Sequence, residues 1–290
     1  MATIVTLAVR EWNGSARVSD TDHVAALELG NVLFCPQLRF DVQAGEQVLF
    51  TPAILGSSKN ASFDPVSRRV SGTTTTGSAG DALRGLMERF SAAATAFVAQ
   101  LLPAYREEVD RRRASFRPAE IAGRATSWRK DDTRLHVDSF LATPSGGKRI
   151  LRVFTNVNPE GRPRSWRVGG DFESVARRFA SGLRLPIPGS GHLLALLRMT
   201  KTPRTPYDAL MLQLHDRMKA DADFQAHSPQ TSIDFPAGST WIAFTDQVSH
   251  AAMAGQYQLE QTFLLPIAAM REPARSPLRV LERLKGRPLV

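Results

Sequence analysis

Within residues 81–105, apolar side chains recur at intervals of three and four, the spacing of one buried face of an amphipathic helix. The positions are Leu83, Leu86, Met87, Phe90, Ala94, Phe97, Val98, Leu101 and Leu102. Pro103 predicts the end of this helix, because proline lacks the amide hydrogen and clashes with the preceding turn. The charged run 106–113 is typical of a solvated helical face. We therefore expect residues 81–113 to form a helical buttress against a sheet.

Short apolar or alternating segments predict β-strands, and clusters of turn residues separate them. These segments are residues 32–35, 47–50, 135–142, 148–157 and 240–244. His250 is expected to open a further element. A second helix is predicted to begin at Thr205, because threonine is a good N-cap and Pro206 suits the first helical position. The mixture favours an α+β fold with a β centre.

Composition limits the architecture and the compartment. A chain of 290 residues with 42% hydrophobic residues can bury one substantial core, so a single domain over 1–290 is expected. The lone Cys35 excludes an intramolecular disulfide, favours a reducing compartment and is expected to be a small core residue. No apolar stretch approaches the roughly 18 residues of a membrane span, and no secretory signal precedes the first apolar run. A cytoplasmic protein is therefore expected.

The charge balance favours an anionic partner. Lysine and arginine total 37 against 28 acidic residues, a net charge of +9, and arginine suits bidentate contact with carboxylate and phosphate. Nucleic acid, an anionic lipid surface and small phosphorylated or carboxylated molecules all fit, and a generically basic composition explains the excess equally well. Nucleic acid is not expected, because aromatic residues make up 8% and no nucleic-acid-binding motif is present.

The most informative chemistry is His136-Val137-Asp138 followed far along the chain by His250. Side chains alternate along an extended segment, so His136 and Asp138 project to the same side. Two imidazoles and one carboxylate can occupy one face of Fe(II) and leave the other face open. A chance His-x-acid triplet is expected about 0.6 times in such a chain, but the β context favours a metal triad. The other histidines interpreted as structural are His23, His192, His215 and His227.

The order of these motifs resembles the iron- and 2-oxoglutarate-dependent dioxygenase superfamily. After His136-x-Asp138 come Asn156-Val157-Asn158-Pro159, then Gly169-Gly170-Asp171-Phe172, then His250. More narrowly, the chain is similar to the Kdo hydroxylases, the family that 3-hydroxylates the Kdo sugar of lipopolysaccharide. The segments that carry this resemblance are residues 115–120, 127–138 and 241–250.

The resemblance implies a fold, a cofactor and a reaction. The core would be a double-stranded β-helix, or jelly roll, with flanking helices. His136, Asp138 and His250 would ligate Fe(II), with 2-oxoglutarate and O₂ as co-substrates and succinate and CO₂ released. The product would be the Ko sugar, made from Kdo-lipid A or a related anionic glycolipid. The alternatives are a 2-oxoglutarate oxygenase acting on another anionic substrate and a non-catalytic sugar-binding jelly roll.

The chain departs from the superfamily at the 2-oxoglutarate anchor. Most members carry an arginine or lysine shortly after the distal histidine, whereas residues 255–262 contain no cation. A buried dicarboxylate still needs a paired charge. We expect Arg152 to supply it, on the strand face shared with Asn156, although a structural salt bridge is the alternative for Arg152. Further expected contacts are Arg149 as the reserve clamp and Gln261 or Thr262 as hydrogen-bonding helpers.

Cations near the ligands are candidates for binding the Kdo carboxylate and the lipid phosphates. They are Arg124, Arg129, Lys130 and Arg134, then Arg162, Arg164 and Arg167, and each could equally be a solvated surface charge. The tail 276–290 places Leu278, Leu281 and Leu284 on one side among basic residues. Two interpretations fit this tail, a peripheral contact with the inner membrane face and a helix docked on the β core. The sequence does not indicate an oligomeric state.

Overall fold

A computed structural model describes residues 2–13 and 22–290. The strands are β1 (Ile4–Thr6), β2 (Val32–Cys35), β3 (Ala61–Asp64), β4 (Arg69–Ser71), β5 (Asp110–Arg117), β6 (Arg149–Asn156), β7 (Arg164–Gly169), β8 (Gln230–Phe235), β9 (Thr240–Phe244), β10 (His250–Ala254) and β11 (Gln258–Leu265). The α-helices are α1 (His23–Glu28), α2 (Gly77–Leu101), α3 (Phe172–Phe179), α4 (Ser190–Leu196), α5 (Pro206–Ala220), α6 (Ala222–His227) and α7 (Pro277–Lys285).

Two sheets face each other across an aromatic layer. The larger sheet has the order β1-β2-β9-β6-β11-β5-β3-β4 and the smaller has β10-β7-β8, with every pairing antiparallel except β1 with β2. Phe154 of β6 lies 5.0 Å from Trp166 of β7, and Trp241 of β9 stacks at 4.0 Å on Phe235 of β8. The predicted α+β class with a jelly-roll core is confirmed.

The predicted amphipathic helix is present as α2. Its apolar stripe is buried against one side of the larger sheet, in the same core cluster as Val153 and Phe263. The prediction of helix up to residue 113 is wrong. α2 ends at Leu101, before Pro103, and the basic run continues as β5, whose backbone is hydrogen-bonded between β11 and β3. Arginine side chains tolerate this strand because Arg111, Arg112 and Arg113 remain exposed.

Some of the other predicted elements are present in the structure and some are not. The segments 32–35 and 240–244 are β2 and β9, 148–157 contains β6, and β10 begins at His250. α5 begins as expected, with Thr205 and Asp208 forming a reciprocal capping box. The predicted strand 47–50 is wrong, because a short 3₁₀-helix, Ala44–Leu49, forms there and is capped by Gln43 and Glu46. Residues 135–142 form no regular strand either; only His136 makes an isolated β-bridge.

A helical layer packs against the other side of the smaller sheet. α3, α5 and α7 share a second apolar cluster with Leu135, Val137 and Ala251. Leu278 and Leu281 of α7 are 3% and 0% exposed within this cluster. Of the two interpretations of the tail, the docked helix is therefore correct, because its apolar side is not available to a membrane.

Two expectations from composition concern single features. Cys35 is fully buried, and burial raises the pKa of its thiol to about 12, so it is a core residue as expected. Among residues 2–13 and 22–290, no helix is both long enough and apolar enough to cross a membrane.

Candidate metal centre

The two predicted histidine ligands lie side by side because their backbones pair directly. The His136 amide donates to the His250 carbonyl at 3.0 Å, and the His250 amide donates to the His136 carbonyl at 2.8 Å. Two residues further on, the Asp138 amide donates to the Thr245 carbonyl at 2.8 Å. The segment 136–138 is thus extended and anchored at both ends, although it belongs to no regular strand.

This pairing brings three ligand groups together. The Nε2 atoms of His136 and His250 lie 3.8 and 4.0 Å from the two carboxylate oxygens of Asp138. One ligand atom from each residue falls within a set whose members are at most 4.8 Å apart. Within the described ranges no other group of three or more histidine, cysteine, aspartate or glutamate side chains has this geometry. The spacing is that of a divalent metal site.

The hydrogen bonds of the imidazoles leave the correct nitrogens for a metal. Nδ1 of His136 lies 2.7 Å from the Arg134 carbonyl, and Nδ1 of His250 lies 2.8 Å from the Val248 carbonyl. A carbonyl accepts, so each Nδ1 carries the proton and each Nε2 presents a lone pair to the site. Trp166 stacks on the His250 ring with centroids 5.1 Å apart and fixes its orientation from the other side.

The protonation states also fit a metal cation. Burial, followed by the neighbouring His250 ring, lowers the pKa of His136 well below its usual value, and burial likewise lowers the pKa of His250. Burial raises the pKa of Asp138, but Arg152 and the two histidines outweigh it and the net shift is downward. Neutral imidazoles and an ionised carboxylate are the ligand forms of these residues. Oδ2 of Asp138 is buried and accepts no hydrogen bond; Nε of Arg152 lies 3.3 Å away as its ion-pair partner, and its lone pairs remain available to a metal.

A chain of alternating charges surrounds the triad. Nε of Arg152 lies 3.3 Å from Asp138, its Nη1 lies 3.1 Å from Glu260, and Glu260 is also bound by Arg117 at 2.9 Å. Burial opposes ionisation of Glu260, but Arg117 and Arg152 lower its pKa overall. Glu260 and Arg117 were not among the predicted site residues. No sequence signal pointed to Glu260, because its place beside Arg152 depends on the pairing of β11 with β6, which only the fold reveals.

Arg164 is the cation of this cavity without a carboxylate partner. Its side chain is buried, its Nη1 donates to the Gly255 carbonyl, and its Nε has no hydrogen-bond partner. Burial, followed by the nearby charge of Arg117, lowers the pKa of its guanidinium. No carboxylate among the described residues forms an ion pair with it. A buried unpaired cation facing a metal cavity is suited to an anionic ligand.

The predicted 2-oxoglutarate contacts fall on different sides of their strands. Arg152 lines the metal cavity, and Thr262 lines the cavity that adjoins it. Arg149 points to the opposite face of β6, where it binds Asp246 at 2.8 Å and Gln247 at 2.6 Å, so its use as a reserve clamp is wrong.

Two amides are likewise engaged elsewhere, although Oε1 of Gln261 is buried without a hydrogen-bond partner. Gln261 donates to the Arg112 and Thr262 carbonyls on the core side of β11. Asn156 donates to the Arg162 and Phe235 carbonyls and accepts from the Asn158 amide, so it shapes the turn after β6. Both predicted roles as co-substrate contacts are therefore replaced by backbone hydrogen bonds.

The four predicted substrate cations do not line either cavity. Arg129 pairs with Asp216 of α5 at 3.0 Å, and Arg134 donates to the Lys219 carbonyl of the same helix at 2.8 Å. Arg124 donates to the Ala119 and Glu120 carbonyls, and Lys130 is exposed. The loop before His136 runs over the helical layer, so closeness in sequence does not bring these cations to the metal. Arg162 and Arg167 also lie outside the metal cavity.

The cations missed by the sequence analysis line a second, basic cavity of about 380 Å³. It shares Arg117, Arg152 and Glu260 with the metal cavity. Its remaining charged residues are Asp64, Arg111, Arg112, Arg113 and Lys201. Had the run 110–117 been interpreted as a strand, its arginines would have been candidates. The arrangement provides an anion-binding surface next to the metal triad.

His215, predicted to be structural, packs against the metal ligand His136. The ring centroids are 5.2 Å apart with their planes nearly perpendicular, and Nδ1 of His215 lies 3.0 Å from Asp216. Burial lowers its pKa. It is not one of the three converging groups, so its contact with the site is through packing.

Together the fold and the site define a class of protein. A 2-His-1-carboxylate triad between the two sheets of a jelly roll is the arrangement of non-heme iron oxygenases. A family model described as 3-deoxy-D-manno-oct-2-ulosonic acid (Kdo) hydroxylase matches residues 11–288, and the chain belongs to this family.

Solved structures of the Kdo hydroxylase KdoO agree with this assignment. The complex of KdoO with α-ketoglutarate and Fe(III) has a TM-score of 0.95 and 44% identity, covering 99% of this chain and 97% of that one. The apo structure of KdoO has a TM-score of 0.95 and 45% identity, with the same coverage. The complex with succinate and Fe(III) has a TM-score of 0.94 and 44% identity, also with the same coverage. No curated protein matches the chain in sequence.

Proposed function

We propose that the chain is an Fe(II)- and 2-oxoglutarate-dependent dioxygenase that hydroxylates carbon 3 of the Kdo sugar in Kdo-lipid A. The products are the Ko sugar, succinate and CO₂. The observation that carries this proposal is the convergence of both free Nε2 atoms on an Asp138 carboxylate whose buried Oδ2 accepts no hydrogen bond. Membership of the Kdo hydroxylase family supports the choice of sugar.

Each ligand has a defined role in holding iron. His136 and His250 present neutral Nε2 lone pairs, and Asp138 supplies the negative charge. When bound, Fe(II) supplies the activation of O₂ that attack on an unactivated C–H bond requires. Nε of Arg152 lies 3.3 Å from Oδ2 of Asp138, the oxygen that also faces His250, and this ion pair limits rotation of the carboxylate. No protein group is needed as a general base.

The far carboxylate of 2-oxoglutarate binds among the buried cations of the metal cavity. Arg152 remains a candidate contact, but its guanidinium already meets Asp138 and Glu260. Arg164 has an unmatched charge and an unused Nε, so it has the greater capacity for a new carboxylate. This arrangement supplies the charge pairing that the cation-free segment 255–262 lacks.

The anionic groups of the sugar substrate bind in the basic cavity. Arg111, Arg113 and Lys201 are exposed at its lining, and it borders the metal cavity at Arg117 and Arg152, which line both. Arginine binds carboxylate and phosphate in bidentate geometry, so this surface can orient the Kdo carboxylate toward the metal. Because the substrate is carried by a lipid, we place the reaction at the cytoplasmic face of the inner membrane.

The test is turnover of Kdo-lipid A by protein reconstituted anaerobically with Fe(II) and 2-oxoglutarate and then exposed to O₂. We expect mass spectrometry to show a gain of one oxygen in the Kdo unit, with an equimolar release of succinate. His136→Ala should abolish both products while His227→Ala, an exposed histidine, retains them. If oxygen were transferred only to another anionic compound, Kdo would not be the substrate. If the metal-loaded protein released no succinate, it would not be a 2-oxoglutarate-dependent oxygenase.

A further inference from the structure

One segment gathers most of the apolar side chains that the fold leaves exposed. Of the eleven large apolar residues exposed within the described ranges, six lie between 185 and 199. They are Leu185, Ile187, Leu193, Leu196, Leu197 and Met199. Ile187 and Leu196 are 80% and 79% exposed, and α4 buries none of its residues. Together with Leu141, which is 69% exposed, these six residues are called the apolar face.

The apolar face is fixed to the body of the protein. The Lys201 amide donates to the Ala142 carbonyl at 2.9 Å, and Arg204 donates to the Leu141 carbonyl at 2.7 Å. A Cβ atom at Gly191 would overlap the Arg204 carbonyl, so glycine is required for this close approach. The exposure is therefore a property of the folded surface, and a cluster of this size on a folded surface marks an interaction site.

The charge around the apolar face identifies its partner. Residues 174–207 contain no aspartate or glutamate, and their cations are Arg177, Arg178, Arg184, Arg198, Lys201 and Arg204. Arg177 and Arg178 pair with Glu173, Asp221 and Asp223, whereas Arg184, Arg198, Lys201 and Arg204 form no ion pair within the described residues. Apolar side chains beside such unpaired cations match a bilayer with anionic headgroups, in which the apolar groups enter the interface and the cations meet phosphate. A second copy of the chain fits poorly, because a twofold contact would bring together two copies of a surface whose unpaired charges are all positive.

We propose that the apolar face docks the protein on an anionic lipid bilayer. An apolar groove of about 410 Å³ lies beside it, lined by Leu185, Ile187, Pro203 and Val290 among others, and extends the surface that lipid can contact. The face also adjoins the basic cavity, since Lys201 and the loop residues Phe140 and Thr143 line that cavity. Docking through this face therefore brings the cavity next to the headgroup layer. The interaction needs neither iron nor turnover.

Vesicle sedimentation tests the docking without any substrate. The probes are vesicles of phosphatidylcholine alone and vesicles in which a third of the lipid is phosphatidylglycerol, with the full chain as purified. We expect binding to the anionic vesicles that decreases with added salt. The double variant Ile187→Ser, Leu196→Ser should bind at least about tenfold more weakly, because the apolar area that enters the interface is lost. Arg184→Gln with Arg198→Gln should reduce the preference for anionic lipid.

The matched control removes two exposed apolar side chains elsewhere. Leu29 and Val48 are 51% and 62% exposed, and Leu29→Ser with Val48→Ser should bind vesicles like the parent chain. Thermal unfolding should be unchanged in all these variants because none of the six positions is buried. Absence of vesicle binding, or equal binding by the Ile187/Leu196 variant, would overturn the proposal. So would sedimentation equilibrium showing a dimer that the same variant dissociates, since the face would then be a contact between copies.

Discussion

At the level of single residues, the cations around the metal triad fall into two groups, those paired with a carboxylate and one that is not. Arg152 and Arg117 are matched by Asp138 and Glu260, so they keep these carboxylates ionised and in place. Arg164 forms no ion pair with a carboxylate among the described residues, and burying an unpaired charge lowers the stability of the folded protein. The matched cations are expected to matter for metal binding and folding, whereas Arg164 is expected to matter for the ligand that completes its charge pairing.

Arg164→Met should raise the KM for 2-oxoglutarate at least about tenfold, because removing one member of a buried charge pair weakens binding. The affinity for the metal should be nearly unchanged, since Arg164 contacts none of the three ligands. Succinate release at varied 2-oxoglutarate, with separate metal titrations, measures the two effects. Arg164→Lys should recover part of the loss, because it restores the charge without the second donor. An unaltered KM in the methionine variant would remove Arg164 from the co-substrate site.

Glu260→Gln should lower the free energy of unfolding by about 3 kcal/mol at pH 7, because Arg117 and Arg152 lose a buried carboxylate. The pKa of Glu260 lies below its ordinary value of 4.5, so its contribution is complete above pH 4.5 and is lost as the pH falls through the folded pKa. The difference between parent and variant should therefore shrink in acid. Urea unfolding at pH 7 and pH 4 measures it, and a difference that grows in acid would contradict the assignment.

At the scale of elements, the segment 136–138, which carries two metal ligands, is fixed by hydrogen bonds although it is not part of a sheet. The β-bridge of His136 with His250 holds it on one side and the Thr245 carbonyl holds Asp138. From α6, the side-chain amide of Gln225 binds Leu135 twice, accepting from its amide at 2.7 Å and donating to its carbonyl at 2.9 Å. The helical layer thus positions a metal ligand through the backbone of the preceding residue.

Gln225→Leu should weaken metal binding about tenfold, the range observed when groups that orient metal ligands are removed. The leucine cannot hold the Leu135 backbone, so His136 gains rotational freedom while the three ligand side chains are unchanged. Calorimetric titration with Co(II) under reducing conditions measures the affinity. The pH profile of binding should keep its shape, because no titrating group is removed.

The chain offers a matched control for Gln225. Gln213 of α5 makes the same two-way contact with the Arg184 backbone, accepting at 2.8 Å and donating at 2.7 Å, but Arg184 is not next to a metal ligand in the sequence. Gln213→Leu should cost similar stability and leave metal affinity intact. Equal losses of affinity in both variants would mean that general loosening of the helical layer, rather than positioning of His136, is responsible.

Sequence patterns correctly predicted the elements in which the spacing of apolar residues directly reflects the face that is buried. The apolar stripe of α2 fits only a helix, and the apolar runs of β2 and β9 fit buried strands. The metal triad was predicted from the period-two spacing of His136 and Asp138 together with the motif order. The segment 47–50 was misassigned because Gln43 and Glu46 close a local turn, which an apolar run does not reveal. Period two correctly separates Arg149 from Arg152. Which of the two faces the metal depends on how the sheets stack, and only the fold decides that.

At the scale of the whole molecule, the metal triad reinforces a junction that the backbone hydrogen bonds of His136 and Asp138 already form. His250 begins β10 in the smaller sheet, whereas His136 and Asp138 lie in the segment between the helical layer and the larger sheet. A metal held by all three would therefore cross-link the smaller sheet to this segment. The consequence is that metal binding should stabilise global folding and not only the loop that carries two of the ligands.

Co(II), a redox-stable substitute for Fe(II), should raise the free energy of unfolding of the metal-free protein by about 2.7 kcal/mol when supplied at about one hundred times its Kd. The gain arises because the three ligands converge only in the folded chain, so the unfolded state binds the ion weakly. Calorimetric melts with and without Co(II) measure it. His250→Ala should lose the whole increase, whereas His227→Ala, whose ring is exposed and hydrogen-bonded to Asp223, should retain it. An undiminished increase in His250→Ala would place the bound ion away from the triad.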